Sequence, residues 1–420
     1  MSILVKNTLI LDDKSQYNGK RVDVLIESGK ISKIGKSLNP KSVSRTIEGK
    51  DLIISKGWFD IQSVFCEPGA EHKETIKTGQ KAAAAGGFTA VCVHGTGFAP
   101  ISNRSTIEFI KQKSDRLVDV YPLGAISLNH EGLELAEMFD MQNGGALAFS
   151  DYKNNLKDAG VLQRTMQYAN SIHSFILIHC LDRSLAGNGD MNEGNISTTL
   201  GVKGIPSVAE EIVIEKAISI LEYYGGKIHI SGISTAKGVE LIKKAKSKNL
   251  NITASIPALN LLLDDSVLES FDSNFKVLPP LRTNKDKEAL RKGIESGVID
   301  CIYSDHCPQD TESKDLEFDL ADFGVINLQS FLHCIASSFP EDKIKDVIKS
   351  FTSHPREIFG LEEGSINEGE VANVTIFSLK ENFKYDNKNN HSKSKNSPFL
   401  NTELKGKVYG IINGTKSHFN

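Results

Sequence analysis

Eight nearly continuous apolar runs, separated by segments with helical spacing, constrain this chain more than any other feature. They are GWFDIQS (57–63), FTAVCVHG (88–95), DVYPLGAIS (119–127), GALAFSD (145–151), FILIHC (175–180), KIHISGIS (227–234), NITASIPA (251–258) and VIDCIYSDH (298–306). Between them, stretches such as TIKTGQKAAAAGG, SVAEEIVIEKAISILEYYGG and NKDKEALRKGIESG place apolar residues at i, i+3 and i+4. A strand covered on both faces has no polar face to show, and parallel neighbours need a helical crossover between them. The pattern predicts an α/β chain with a (β/α)8 TIM-type barrel over residues 57–353. An open doubly wound sheet is the rival, but no GxGxxG or P-loop follows any run.

The chain ends have a different texture. ILVKNTLIL, VDVLIESGKISKIG and RTIEGKDLIIS at the start, and GEVANVTIFSL and LKGKVYGIING at the end, alternate short β-type runs with turn signals. Residues 1–56 plus 354–420 are expected to form one small flanking β-sandwich domain. The lysine-rich run from Lys384 to Lys395 is diluted by Asn, Asp and Ser and reads as a solvated loop.

With 39% hydrophobic and 24% charged residues, the composition is that of a soluble globular protein. A net charge of −4 without a basic stripe argues against nucleic acid or an anionic membrane as partner. Six scattered cysteines with no CxxC pair suggest reduced thiols, and no signal-like segment opens the chain, so a cytoplasmic location is expected.

Barrel chemistry sits at the C-terminal ends of the strands. Those ends carry Gln62, Val64, Gly95, Asp151, His179, Gly232, and Asp305 followed by His306. Asp151, His179 and Asp305 are the side chains there that could bind a metal or move a proton.

Nearly end to end, the chain resembles the dihydroorotases of the amidohydrolase superfamily, in the group with an Asp in place of a carboxylated Lys. The likeness rests on GWFDIQSVFCEPG, KETIKTGQKAAAAGGFTAV, FSDYK, MNEG, GIPSVAEE, HISGISTAKGVELI, PPLRTNKDKEAL, IDCIYSDHCP, FDLADFG and SKNSPF. The resemblance implies an enzyme with two divalent metals, usually zinc, whose bridging hydroxide attacks a ring amide. It also implies that Asp151, His179 and Asp305 are metal ligands, with Asp305 the catalytic acid/base.

Several family positions are changed. The family's Asp-x-His-x-His-x-Arg reads Asp60, Gln62, Val64 and Cys66 here, and Gly232 replaces a ligand histidine. Valine cannot ligate, and glutamine is a weak zinc ligand. The family's substrate contacts fall on Cys66, Gly95, Leu278 and Gln309. The resemblance therefore implies a dihydroorotase-like, homo-oligomeric protein of pyrimidine biosynthesis that is non-catalytic and supports assembly of aspartate carbamoyltransferase. It needs no cofactor, or zinc if a residual site is filled. On this reading Asp151, His179 and Asp305 are remnant ligands and Asp305 is an idle acid/base.

Other readings stay open on the residues. One is an active metal-dependent hydrolase of cyclic amides, taking dihydroorotate to N-carbamoyl-aspartate or acting on a relative of it. Another is a ligand sensor using the old pocket. His229 and His306 read as structural residues, whereas Cys66, Cys180 and Cys307 could supply a relocated thiolate ligand. A Ser- or Cys-based hydrolase lacks its GxSxG elbow.

Overall fold

The computed structural model describes residues 2–96 and 99–420. Strands β1 (Ser2–Leu11), β2 (Arg21–Glu27), β3 (Lys30–Gly35), β4 (Arg45–Ile47) and β5 (Ile53–Lys56) open the chain. The β2–β3 hairpin turns at Ser28 and Gly29, both at positive φ, as a tight primed turn requires.

The barrel strands follow: β6 (Trp58–Ser63), β7 (Phe88–Val93), β8 (Asp119–Pro122), β9 (Ile176–His179), β12 (Ile228–Ser231), β13 (Ile252–Pro257) and β14 (Cys301–Tyr303). Between β9 and β12 lies a two-residue ladder of β10 (Met191–Asn192) and β11 (Gly204–Ile205). Strands β6, β7 and β8 pair in parallel, as do β9, β12, β13 and β14. Isolated parallel bridges join the two arcs: Gly124 to Phe149, Phe149 to Ile176, and Ser63 to His306. The closed (β/α)8 barrel is thus present. Its fourth run, GALAFSD, is reduced to the bridging residue Phe149. Gly145, at φ +103, serves as the C-cap of the preceding helix, and the Leu147 and Ser150 amides still donate to the Pro122 and Gly124 carbonyls.

The chain ends with β15 (Asn373–Tyr385), β16 (Thr402–Asn413) and β17 (Lys416–Phe419). These join the opening strands in one eight-stranded sheet of order β17-β16-β15-β5-β1-β2-β3, with β4 on β1. The sheet encloses its own apolar cluster, including Val5, Val24, Ile54, Val374 and Ile412.

Helices shield the barrel. Ile76–Gly86 starts at the Thr75 cap and buries Ala82 to Ala85. Its Gly86 lies so close to the Leu328 carbonyl that a Cβ would sit 2.2 Å from it. The segment 384–395 departs from the expected solvated loop. Lys384 and Tyr385 finish β15, and Ser392 and Ser394 are buried. Ser392 and the Lys393 amide both donate to the buried Glu74 carboxylate, so this segment clamps the loop that precedes the first helix. No helix among the described residues is long and apolar enough to cross a membrane.

Candidate functional site

Asp60 ties the first barrel strand to the last. Its carboxylate accepts from the Ser304 amide at 2.7 Å, the Ser304 hydroxyl at 2.6 Å and the Ser63 hydroxyl. Complete burial pushes its pKa up to about 6 against those bonds. Two residues on, Gln62 donates Nε2 to Asp305 Oδ1 at 3.2 Å and accepts from the Ser231 hydroxyl. Val64 and Cys66 are buried in a small apolar cluster with Ala70 and Tyr152. Burial pushes the Cys66 thiol up, away from a thiolate.

Asp151 is spent on the loop beside it. One carboxylate oxygen accepts from the Ile126 and Ser127 amides at 2.8 and 2.9 Å, and the other accepts from the Ser127 hydroxyl. His179 is buried, and neither ring nitrogen has a hydrogen-bond partner. Burial, with Lys153 and Arg183 nearby, pushes it down to about 3, so the imidazole is neutral. At Gly232, with φ +79, a Cβ would lie 3.0 Å from both His179 Nδ1 and the Tyr303 hydroxyl.

Asp305 is held in an ion pair at the mouth. Its Oδ2 accepts from Lys153 Nζ at 2.8 Å while Gln62 holds Oδ1. Both members of the ion pair are almost wholly buried. Burial raises the Asp305 pKa and Lys153 opposes that. Asp305 itself has φ +57, a left-handed conformation that Asp tolerates better than most residues.

The other positions singled out from the sequence are structural. His229 bonds Thr253 at 2.9 Å and Ser255 at 2.8 Å inside the barrel wall. His306 Nδ1 accepts from the Asn327 amide at 3.3 Å, and its other nitrogen is 3.5 Å from Glu74. A Cβ at Gly95 would be 2.5 Å from the Ile101 amide, which leaves no room for a larger residue. Leu278 packs with Leu181, Ile205 and Phe323. Gln309 donates to the Phe323 carbonyl at 2.9 Å and accepts from Lys73.

Above these residues lies a cavity of about 600 Å³, with Val64, Cys66, Tyr152, Lys153, Leu278 and Gln309 in its wall. A roomier cleft of about 960 Å³, against Phe271 and Phe318, lies outside the mouth and shares only Arg183 and Phe323 with it.

The donor set does not fit a binuclear metal centre. Asp305 is occupied by an ammonium and an amide, Asp151 by three donors, and Val64 offers no lone pair. Among the described residues no three His, Cys, Asp or Glu side chains form a group that could hold a metal ion. Asp151, His179 and Asp305 are therefore not gathered as a ligand set, and Cys66, Cys180 and Cys307 do not complete one.

Two features escaped the sequence reading. Lys153 stands two residues after Asp151 in FSDYK, and nothing in periodicity tells where its side chain goes. The second is a buried network joining four of the motifs that carried the resemblance. Glu210, of SVAEE, accepts from the Ser234 and Thr235 amides and both hydroxyls. Arg282, of PPLR, donates to the Ser234 hydroxyl, the Ile205 carbonyl and Asn192 of MNEG. The network holds the loops that carry those motifs together.

Comparison with known proteins agrees with the architecture. A family described as Dihydro-orotase-like matches residues 51–238. The chain is 36% identical to the dihydroorotase of Endomicrobium trichonymphae over 99% of both chains. It is 34% identical to that of Syntrophus aciditrophicus over 97% of both. Among solved structures, L-hydantoinase (dihydropyrimidinase) from Arthrobacter aurescens superimposes with a TM-score of 0.84 at 20% identity, covering 99% of this chain and 95% of that one. D-hydantoinase from Thermus sp. gives 0.80 at 20% identity, covering 100% and 96%. At that identity the two hydantoinases speak for the fold alone.

Proposed function

Since the chain belongs to the dihydroorotase family of the amidohydrolase superfamily, we propose that it is a dihydroorotase-like protein of pyrimidine biosynthesis that does not itself open the ring. Its part is to support the assembly of aspartate carbamoyltransferase. One observation carries the reading: Asp305, the family's acid/base, has one oxygen on Lys153 and the other on Gln62. Each of those contacts competes with a water or a leaving nitrogen for the oxygens that would move the proton. The substrate side agrees. Cys66, Gly95 and Leu278 offer no charged or amide group for a ring carboxylate, and polar groups left unpaired in an apolar wall lose affinity.

The intact half of the molecule is the half an assembly role needs. The Glu210–Arg282–Asn192 network keeps the loops of the mouth in place.

A second reading is favoured by the relatives, which carry the name dihydroorotase at 34–36% identity over almost their whole length. In it the chain is an active metal-dependent hydrolase of a cyclic amide, dihydroorotate or a relative of it. Complementation separates the two. On the first reading, the gene fails to rescue a pyrimidine auxotroph that lacks dihydroorotase, while the purified protein carries aspartate carbamoyltransferase of its own organism with it. Growth without added pyrimidine would establish the second reading and end the first.

A further inference from the structure

We propose that Lys153 is an internal replacement for the metal charge of this fold, a tethered ammonium that satisfies Asp305 and keeps divalent cations out. The inference rests on the non-hydrolytic reading above and deepens it: histidine loss alone would leave a vacant, anionic mouth, whereas Lys153 fills it.

The local backbone explains how a loop lysine reaches Asp305 at the barrel mouth. Residues 151–154 form a tight turn in which the Asn154 amide donates to the Asp151 carbonyl at 3.0 Å. The Asn154 side chain bonds the same carbonyl at 3.3 Å. Tyr152, at φ +55, takes the left-handed conformation within this turn. Arg183 holds the Lys153 carbonyl at 3.3 Å. The Lys153 side chain therefore runs inward, its ammonium 5.2 Å from the Tyr152 ring centroid and 2.8 Å from Asp305.

Asp305 has two oxygens, and each is capped by a nitrogen donor from a different part of the chain. Lys153 comes from the loop after the fourth barrel position. Gln62, at a ligand-histidine position, comes from the first strand and is itself held by Ser231. A zinc ion would need an oxygen lone pair at about 2.0–2.2 Å. It would have to displace the ammonium and then sit beside a second positive charge in a buried site. Removing one member of a buried pair strands the other, so the pair persists only as a unit.

The test uses the full-length protein with cobalt(II) and zinc(II) as probes, read by the cobalt visible bands and by metal content after dialysis. The wild-type protein should take up neither metal stoichiometrically. Gln62→His with Val64→His restores two ligands but keeps Lys153, and it should still bind weakly. Adding Lys153→Gly to that pair should tighten binding at least 100-fold, whereas adding Lys153→Arg should not. Equal affinity with and without Lys153 would overturn the surrogate role yet leave the non-hydrolytic reading standing. Stoichiometric metal in the wild-type protein would remove both. Thermal unfolding supplies a readout should the triple variant fold poorly. Lys153→Met and Asp305→Asn should each lower the melting temperature, and the double variant should melt above the lower single. Additive losses would mean that the two groups are not coupled, and the proposal would fall.

Discussion

Replacing Gly232 by alanine measures how tightly the barrel mouth closes over a position where the resemblance implies a histidine. Gly232 has φ +79, and an added Cβ would lie 3.0 Å from His179 Nδ1 and from the Tyr303 hydroxyl. Two costs combine there. The left-handed backbone costs a residue with a Cβ about 1–2 kcal/mol. Crowding a well-packed interior costs on the order of 1–3 kcal/mol more. Gly201 separates the two, since its φ is +68 and nothing lies within 4 Å of its Cβ. Gly201→Ala should therefore show the backbone cost alone, about 1–2 kcal/mol. Gly232→Ala should exceed it by at least about 1 kcal/mol. Urea unfolding reads the difference as a shift in midpoint at unchanged slope. Equal losses in the two variants would refute the claim that His179 and Tyr303 close over this glycine. The consequence for rescue is direct: a histidine at 232 cannot simply be put back, because strand end and neighbours have settled on having no side chain there.

Two other perturbations follow from the same contacts. His229 is pushed down to about 3 by burial, below its unfolded value of about 6.5. Its contribution to stability is therefore full above pH 6.5 and lost as the pH falls toward 3. At pH 5 that loss is about 2 kcal/mol. His229→Gln should flatten the stability difference between pH 7.5 and pH 5 by that amount in urea titrations, and an unchanged slope would contradict the burial argument. Glu210→Gln places an amide donor against the Ser234 and Thr235 donors, and it should cost about 3 kcal/mol. A calorimetric loss below about 1 kcal/mol would mean that the network is not holding the loops.

Much of the fold was legible because parallel strands buried on both faces write themselves as unbroken apolar runs. Seven of those runs became ladders. GALAFSD shows only the bridges of Phe149 to Gly124 and Ile176, its first residue being taken by the cap of the preceding helix. The 384–395 segment misled for a related reason: Lys and Asn there are polar by composition, yet Ser392 donates to Glu74 and Ser394 to the Lys73 carbonyl rather than to water. At the site, the residue types could be read directly: Gln62, Val64 and Gly232 stand where the resemblance implies histidine. The contacts around them could not. The Lys153–Asp305 contact spans 152 residues, and Asp151 looks like a ligand until Ser127 is seen to hold it. Such pairings depend on side-chain direction across the barrel, which no local periodicity records.

The most direct test of the account is dihydroorotate hydrolysis by the purified wild-type protein, assayed with added zinc alongside metal analysis of the same preparation. The account predicts no stoichiometric metal and no ring opening above the uncatalysed rate. Two metals per chain with turnover on the order of 1 s⁻¹ or faster would contradict it.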